Sequence, residues 1–318
     1  MNVYVNKFFV VLALVALFIV LLAQMFKVNS DVAVQEKALS VIKDIVGLDV
    51  TKYNVELTSY FSDHPDNYGG LQREDVVYTL KAEGVKIEFS LRFVNKSLWF
   101  VAINPVNCSL LSAHYAKQLP TDILEITKAI LQRLHTYSGE PHLQMLCDTM
   151  NKVADMSSVN ATIGNLRRLV TINTNFISQN VTSTMISFYF MYTINNADSP
   201  KSVNIHFRDG ALTGFSDGWY LFKIGSENIK ISREEAIIIA QKEANKAATT
   251  ELNFGNRSIR ADLYMLSRNP FVLYPFWFVE LPLNYPNSTI TGWQVGIWAD
   301  TGEIAYSHPT GILGTPPT

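Results

Sequence analysis

Gly214-Phe215-Ser216-Asp217-Gly218 fits the G-x-S-x-G pattern, in which a serine at a sharp strand-to-helix turn acts as a nucleophile. The chemistry would be acyl transfer, with His308 and Asp262 as partners in the expected chain order. The residues that follow, Trp219-Tyr220-Leu221-Phe222-Lys223-Ile224, read as a strand, and Asp209-Gly210 makes the segment half of a hairpin. A nucleophile elbow needs a helix at that point, so the pattern predicts a structural serine. A second group, Ser62-Asp63-His64-Pro65-Asp66-Asn67-Tyr68-Gly69-Gly70, gathers carboxylates, an imidazole and an amide that could face a divalent cation. It lacks the ligand spacing of a calcium loop, and Asp, Pro, Asn and Gly form turns for their own reasons. The six histidines, at positions 64, 114, 135, 142, 206 and 308, make no H-E-x-x-H and no Cys/His cluster, so neither a metal nor another cofactor is expected.

Cys108 and Cys147 would suit one disulfide in an oxidising compartment, and two buried thiols are the alternative. N-x-S/T triplets at Asn95, Asn107, Asn160, Asn180, Asn256 and Asn287 are glycan acceptors if the chain reaches a glycosylating surface. The aromatic residues Tyr274, Phe276, Trp277, Trp293 and Trp298 either fill a sheet's core or line a groove for peptide or glycan.

What must position these residues begins with an apolar segment. Every residue from Phe8 to Ala23 is apolar, and the run reaches Phe26 with Gln24 as its one interruption. At about 1.5 Å per residue it would span roughly 28 Å as a helix, close to the hydrocarbon thickness of a bilayer. Residues 1–27 therefore read as a signal-anchor, a cleaved signal being the alternative, with the bulk of the chain outside the cytoplasm or secreted. Across its 318 residues the chain is 48% hydrophobic and 17% charged with a net charge of −2, which fits a folded protein and leaves no basic face for nucleic acid.

Beyond the anchor, an amphipathic helix followed by strands occurs three times, predicting modules at 28–118, 119–228 and 229–310 with a tail at 311–318. Val34, Ala38, Val41, Ile42, Ile45 and Val46 open the first; Ile123, Ile126, Ile130 and Leu134 the second, which has an extra helix. Ser232-Arg233-Glu234-Glu235 opens the third as a capping box. Turns are expected at Asn95-Lys96, Asp209-Gly210 and Asp300-Thr301-Gly302. The fold class expected is α+β: an N-terminal transmembrane helix, then repeated helix-on-antiparallel-sheet modules.

The third module resembles a PepSY-type domain. Ser232 to Ala236, Tyr274 to Glu280 and Trp293 to Glu303 carry the resemblance, over about a quarter of the chain. The whole arrangement also resembles N-terminally anchored surface proteins of archaea. PepSY domains are commonly extracytoplasmic and associated with inhibiting or regulating peptidases. The resemblance thus implies a binding or regulatory protein with a protein or peptide partner rather than an enzyme, and it transfers no site residue. Two alternatives are a structural envelope component that self-associates through strand edges and a surface hydrolase using Ser216.

Overall fold

A computed structural model describes residues 32–106, 113–116, 120, 122–178, 181–248, 252, 254, 259–284 and 290–311. The chain divides into two compact units, Met1–Asp63 with Gln72–Cys147, and His64–Leu71 with Asp148–Thr318.

In the first unit, helix α1 (32–46) precedes the antiparallel strands β1 (Asn54–Asp63), β2 (Arg73–Ala82), β3 (Val85–Val94) and β4 (Ser97–Pro105), paired in chain order, and helix α2 (Ile123–Ser138) follows. Strict alternation puts Val76, Tyr78 and Leu80 of β2 and Ile87, Phe89, Leu91 and Phe93 of β3 in the core with Val41, Ile42 and Ile45 of α1. The last part of α1, Val41–Val46, is wound as π-helix and stops at Gly47, whose φ of 87° is left-handed. There the Arg133 guanidinium of α2 donates to the carbonyls of Ile45 and Val46, a cation placed at the negative end of the helix dipole. Asn95 and Lys96 both have positive φ, as the tight β3–β4 hairpin requires. Among the described residues β1 has β2 as its one neighbour, and a bulge between Leu57 and Ser59 interrupts its register.

In the second unit, β5 (Ala161–Ile163), β6 (Leu166–Ser178), β7 (Val181–Ile194), β8 (Ala197–Arg208) and β9 (Ala211–Asp217) form an antiparallel meander. Helix α3 (Pro141–Met150), which belongs to the first unit as far as Cys147, precedes this meander in the chain. The short β10 (Lys223–Ile224) then runs parallel to β12 (Val272–Pro282), and helix α4 (Arg233–Ala247) leads into β11 (Arg260–Asn269). Strands β11, β12, β13 (Gly292–Trp298) and β14 (Ile304–Thr310) pair antiparallel in chain order. Strand β14 carries Pro309 and has β13 as its one neighbour among the described residues.

Helix α4 starts where expected. The Ser232 hydroxyl accepts from the Glu235 amide at 3.2 Å, and the Glu235 carboxylate accepts from the Ser232 amide at 2.8 Å. Its buried stripe is Ala236, Ala240 and Ala244, small enough for the helix to lie close on the sheet, where Trp277, Val279, Leu281, Trp293, Val295 and Ile297 fill the space. Both indoles also find acceptors: Trp277 Nε1 donates to the Ile231 carbonyl and Trp293 Nε1 to Ser307 Oγ.

The expected α+β class is corrected. Fourteen strands dominate the described residues, several of them 10 to 14 residues long, and the helices are few. The cause lies in segments such as 166–178 and 181–194, where Thr and aromatic residues suit a pleated surface and long pairing carries Ser and Asn into the ladder with them. No described helix is long and apolar enough to cross a membrane, and the apolar run 8–26 on which the transmembrane helix was expected lies outside the described residues.

Candidate functional site on the C-terminal sheet

Period-two alternation gives the C-terminal sheet two faces, and α4 covers one of them. Register fixes what the other presents. Arg260 pairs across to Glu280, Glu280 to Gln294, and Gln294 to His308, so four polar side chains from four adjacent strands form one row. Gln294 Nε2 donates to Glu280 Oε1 at 2.9 Å, and Arg260 Nη1 lies 4.0 Å from Glu280 Oε2. Arg260 is also ion-paired to Asp262, which raises its already high pKa. At the end of this row a cleft of about 570 Å³ is lined by Arg260 and Glu280, by Leu281 and Trp293 of the α4 side, and by Pro282, Thr291, Gly292 and Thr310 at the strand ends.

Further along the same face the row becomes aromatic. Phe276 meets Trp298 edge-on at 5.0 Å between ring centres and Tyr306 at 6.0 Å, and Tyr306 lies 5.3 Å from the His308 ring. Burial, and secondarily the Glu280 charge, raise the Tyr306 pKa, which keeps the phenol neutral. Gly296 lies beneath: a Cβ there would come within 2.4 Å of Phe276 and 2.5 Å of Tyr306, so the two rings occupy the space a side chain would take. The five aromatic residues singled out in the sequence are therefore split by the sheet. Trp277 and Trp293 pack under α4, whereas Tyr274, Phe276 and Trp298 belong to the opposite face. Only the alternation of each strand, counted from its paired neighbour, separates the two sets.

The other candidates fall elsewhere. Ser216 lies within β9, paired opposite Asn204, whose Nδ2 donates to its Oγ at 3.1 Å. A turn and β10 follow it rather than a helix, so the elbow geometry is not formed. Asp262 is engaged by Arg260, and His308 stands opposite Gln294. His206 lies beside Ser187, Nδ1 to Oγ at 2.9 Å, and its partial burial lowers its pKa. In the 62–70 loop, Asp63 takes a hydrogen bond from Arg73 at 2.8 Å. Asp66–Tyr68 form a 3-10 turn whose buried Tyr68 meets Phe271 edge-on. No group of three or more His, Cys, Asp or Glu suited to a metal ion occurs among the described residues.

Asn95 is exposed at its hairpin tip, and Asn160 is exposed with its Oδ1 accepting from the Val170 amide at 2.7 Å. Cys147 is buried in α3. Asn107, Asn180, Asn256, Asn287 and Cys108 lie outside the described residues.

Among solved structures the chain is similar to the C-terminal domain of Bacillus megaterium YpeB, at 14% identity over 86% of this chain and 96% of that one, with a TM-score of 0.34. No family model and no curated protein matches it.

Proposed function

We propose that the chain is a binding or regulatory protein working outside the cytoplasm, held at the membrane through residues 8–26, with the face of the C-terminal sheet opposite α4 as its recognition surface. The observation that carries this reading is the row Arg260–Glu280–Gln294–His308, set on four strands beside an aromatic row and a cleft. Polar groups mounted on paired strands are held in place before a ligand arrives, which reduces the ordering cost of binding. The apolar run and the six N-x-S/T triplets support the location. The PepSY-type resemblance of residues 232–303 favours a surface protein, such as a peptidase, as the molecule regulated.

The test uses the full chain with a C-terminal affinity tag, expressed in its native cells, cross-linked and captured from the membrane fraction for mass spectrometry. Enrichment of a surface protein by the native chain, with loss of that enrichment in a Gln294→Ala/His308→Ala variant, is the expected result. Equal capture by both chains would remove this face from the function.

A further inference from the structure

We infer that the face carrying Arg260, Glu280, Gln294 and His308 binds a neutral oligosaccharide, an inference that rests on the reading of this face as the recognition surface. Three features of the site point to that ligand class.

The first is the mixture of donors and acceptors. Arginine only donates, a carboxylate only accepts, and glutamine, neutral histidine and the Thr310 hydroxyl do both. A sugar hydroxyl also does both, so successive hydroxyls can be matched along the row. An anionic ligand would meet Glu280 and Asp262, and a cationic one would meet Arg260, with these groups at hydrogen-bond or ion-pair distance of one another. The guanidinium is ion-paired to both carboxylates, so a charged ligand of either sign would have to break a pair, which a neutral one need not do.

Spacing is the second feature. Neighbouring strands lie about 4.8 Å apart, so the four positions span about 14 Å in three even steps. That suits a chain of rings presenting similar groups at each step better than it suits a single small solute. The site is also a sheet face, where the backbone amides and carbonyls are already consumed by the ladder. An extended peptide recognised through its main chain needs an unpaired edge instead.

The third is the adjoining aromatic surface. Phe278 and Tyr306 stand either side of Gly296 in register, next to the polar row and half-buried. Ring faces accept the C–H side of a pyranose while the polar row takes its hydroxyls, and the cleft of about 570 Å³ lies within the size range of ligand sites.

The experiment uses the full chain in a detergent without a sugar headgroup. Binding to immobilised cellohexaose, chitohexaose, mannohexaose and glycans released from the native surface proteins is measured beside heparin and chitosan hexamers. Binding to at least one neutral glycan is expected, insensitive to salt and weakened at least tenfold by Gln294→Ala and by His308→Ala, with melting temperatures unchanged. Tyr306→Phe, which keeps the ring, should retain it. Binding only to the charged hexamers, or to none, overturns the inference. If glycan binding fails while protein capture still depends on Gln294 and His308, the face is a recognition surface for protein alone. If neither depends on them, both readings fall.

Discussion

The guanidinium of Arg268 lies 4.4 Å from the centre of the Trp298 ring. It also lies 4.5 Å from that of Tyr274 and donates to Asp300 Oδ1, so one side chain ties the end of β11 to β12 and to the β13–β14 turn. Removing it costs a cation–π contact and leaves Asp300, largely buried, without its ion pair. Arg268→Ala should destabilise the chain by about 2 kcal/mol, read as a shift in the urea midpoint. Arg268→Lys should recover part of the loss, because an ammonium keeps the charge and forfeits the planar stacking.

Gly296 tests how tightly the aromatic face is packed. With Phe276 and Tyr306 already within 2.5 Å of a built Cβ, Gly296→Ala forces both rings off their positions. A loss of about 1–3 kcal/mol is expected, with a changed near-ultraviolet circular dichroism spectrum. Gly296→Ala should cost less in a Tyr306→Ala background than in the native chain, because one of the two crowding rings is then gone.

The start of α4 depends on the reciprocal bonds of Ser232 and Glu235. Ser232→Ala should cost about 1 kcal/mol, measured by thermal melting. The Ser232 backbone amide, then its hydroxyl, hold the Glu235 carboxyl below its ordinary pKa. A depressed acid stabilises the fold above the unfolded pKa and loses that contribution as pH falls through the folded one. The native melting temperature should therefore decline into the acid range more steeply than that of Glu235→Gln.

His206 predicts a second pH dependence. Burial lowers its pKa below the ordinary imidazole value of about 6.5, so the unfolded chain binds the proton more readily. The stabilising contribution is complete above that value and is lost as pH falls through the window beneath it. His206→Gln should flatten the stability profile between pH 7 and 5, and an NMR titration of the native chain should place the imidazole below 6.5.

Ser216 is held by Asn204 inside a strand pair. Ser216→Ala should change stability by about 1 kcal/mol or less, and a fluorophosphonate probe should label the native chain no more than the variant. Selective labelling at Ser216 would restore the hydrolase reading.

The sequence signalled local features well and assembled ones poorly. The capping box at Ser232, the Asp209-Gly210 and Asn95-Lys96 turns and the stripe from Val34 to Val46 depend on residues a few positions apart, and each occurs in the structure. The row Arg260–Glu280–Gln294–His308 joins positions up to 48 apart through three strand pairings, and a shift of one residue in any of them would split the row between the two faces. No single strand carries that information. Strand length is likewise set by partners: β7 runs from Val181 to Ile194 because pairing with β6 and β8 carries polar residues into the ladder.

Pro309 has a consequence for the protein as a population of molecules. It lies on a strand that is outermost among the described residues and has no amide hydrogen, so a strand arriving from a second copy would find a missing rung in the ladder it tries to extend. The sheet thus carries its own terminator on that side. Copies crowded together can rise in concentration without that strand seeding a fibre.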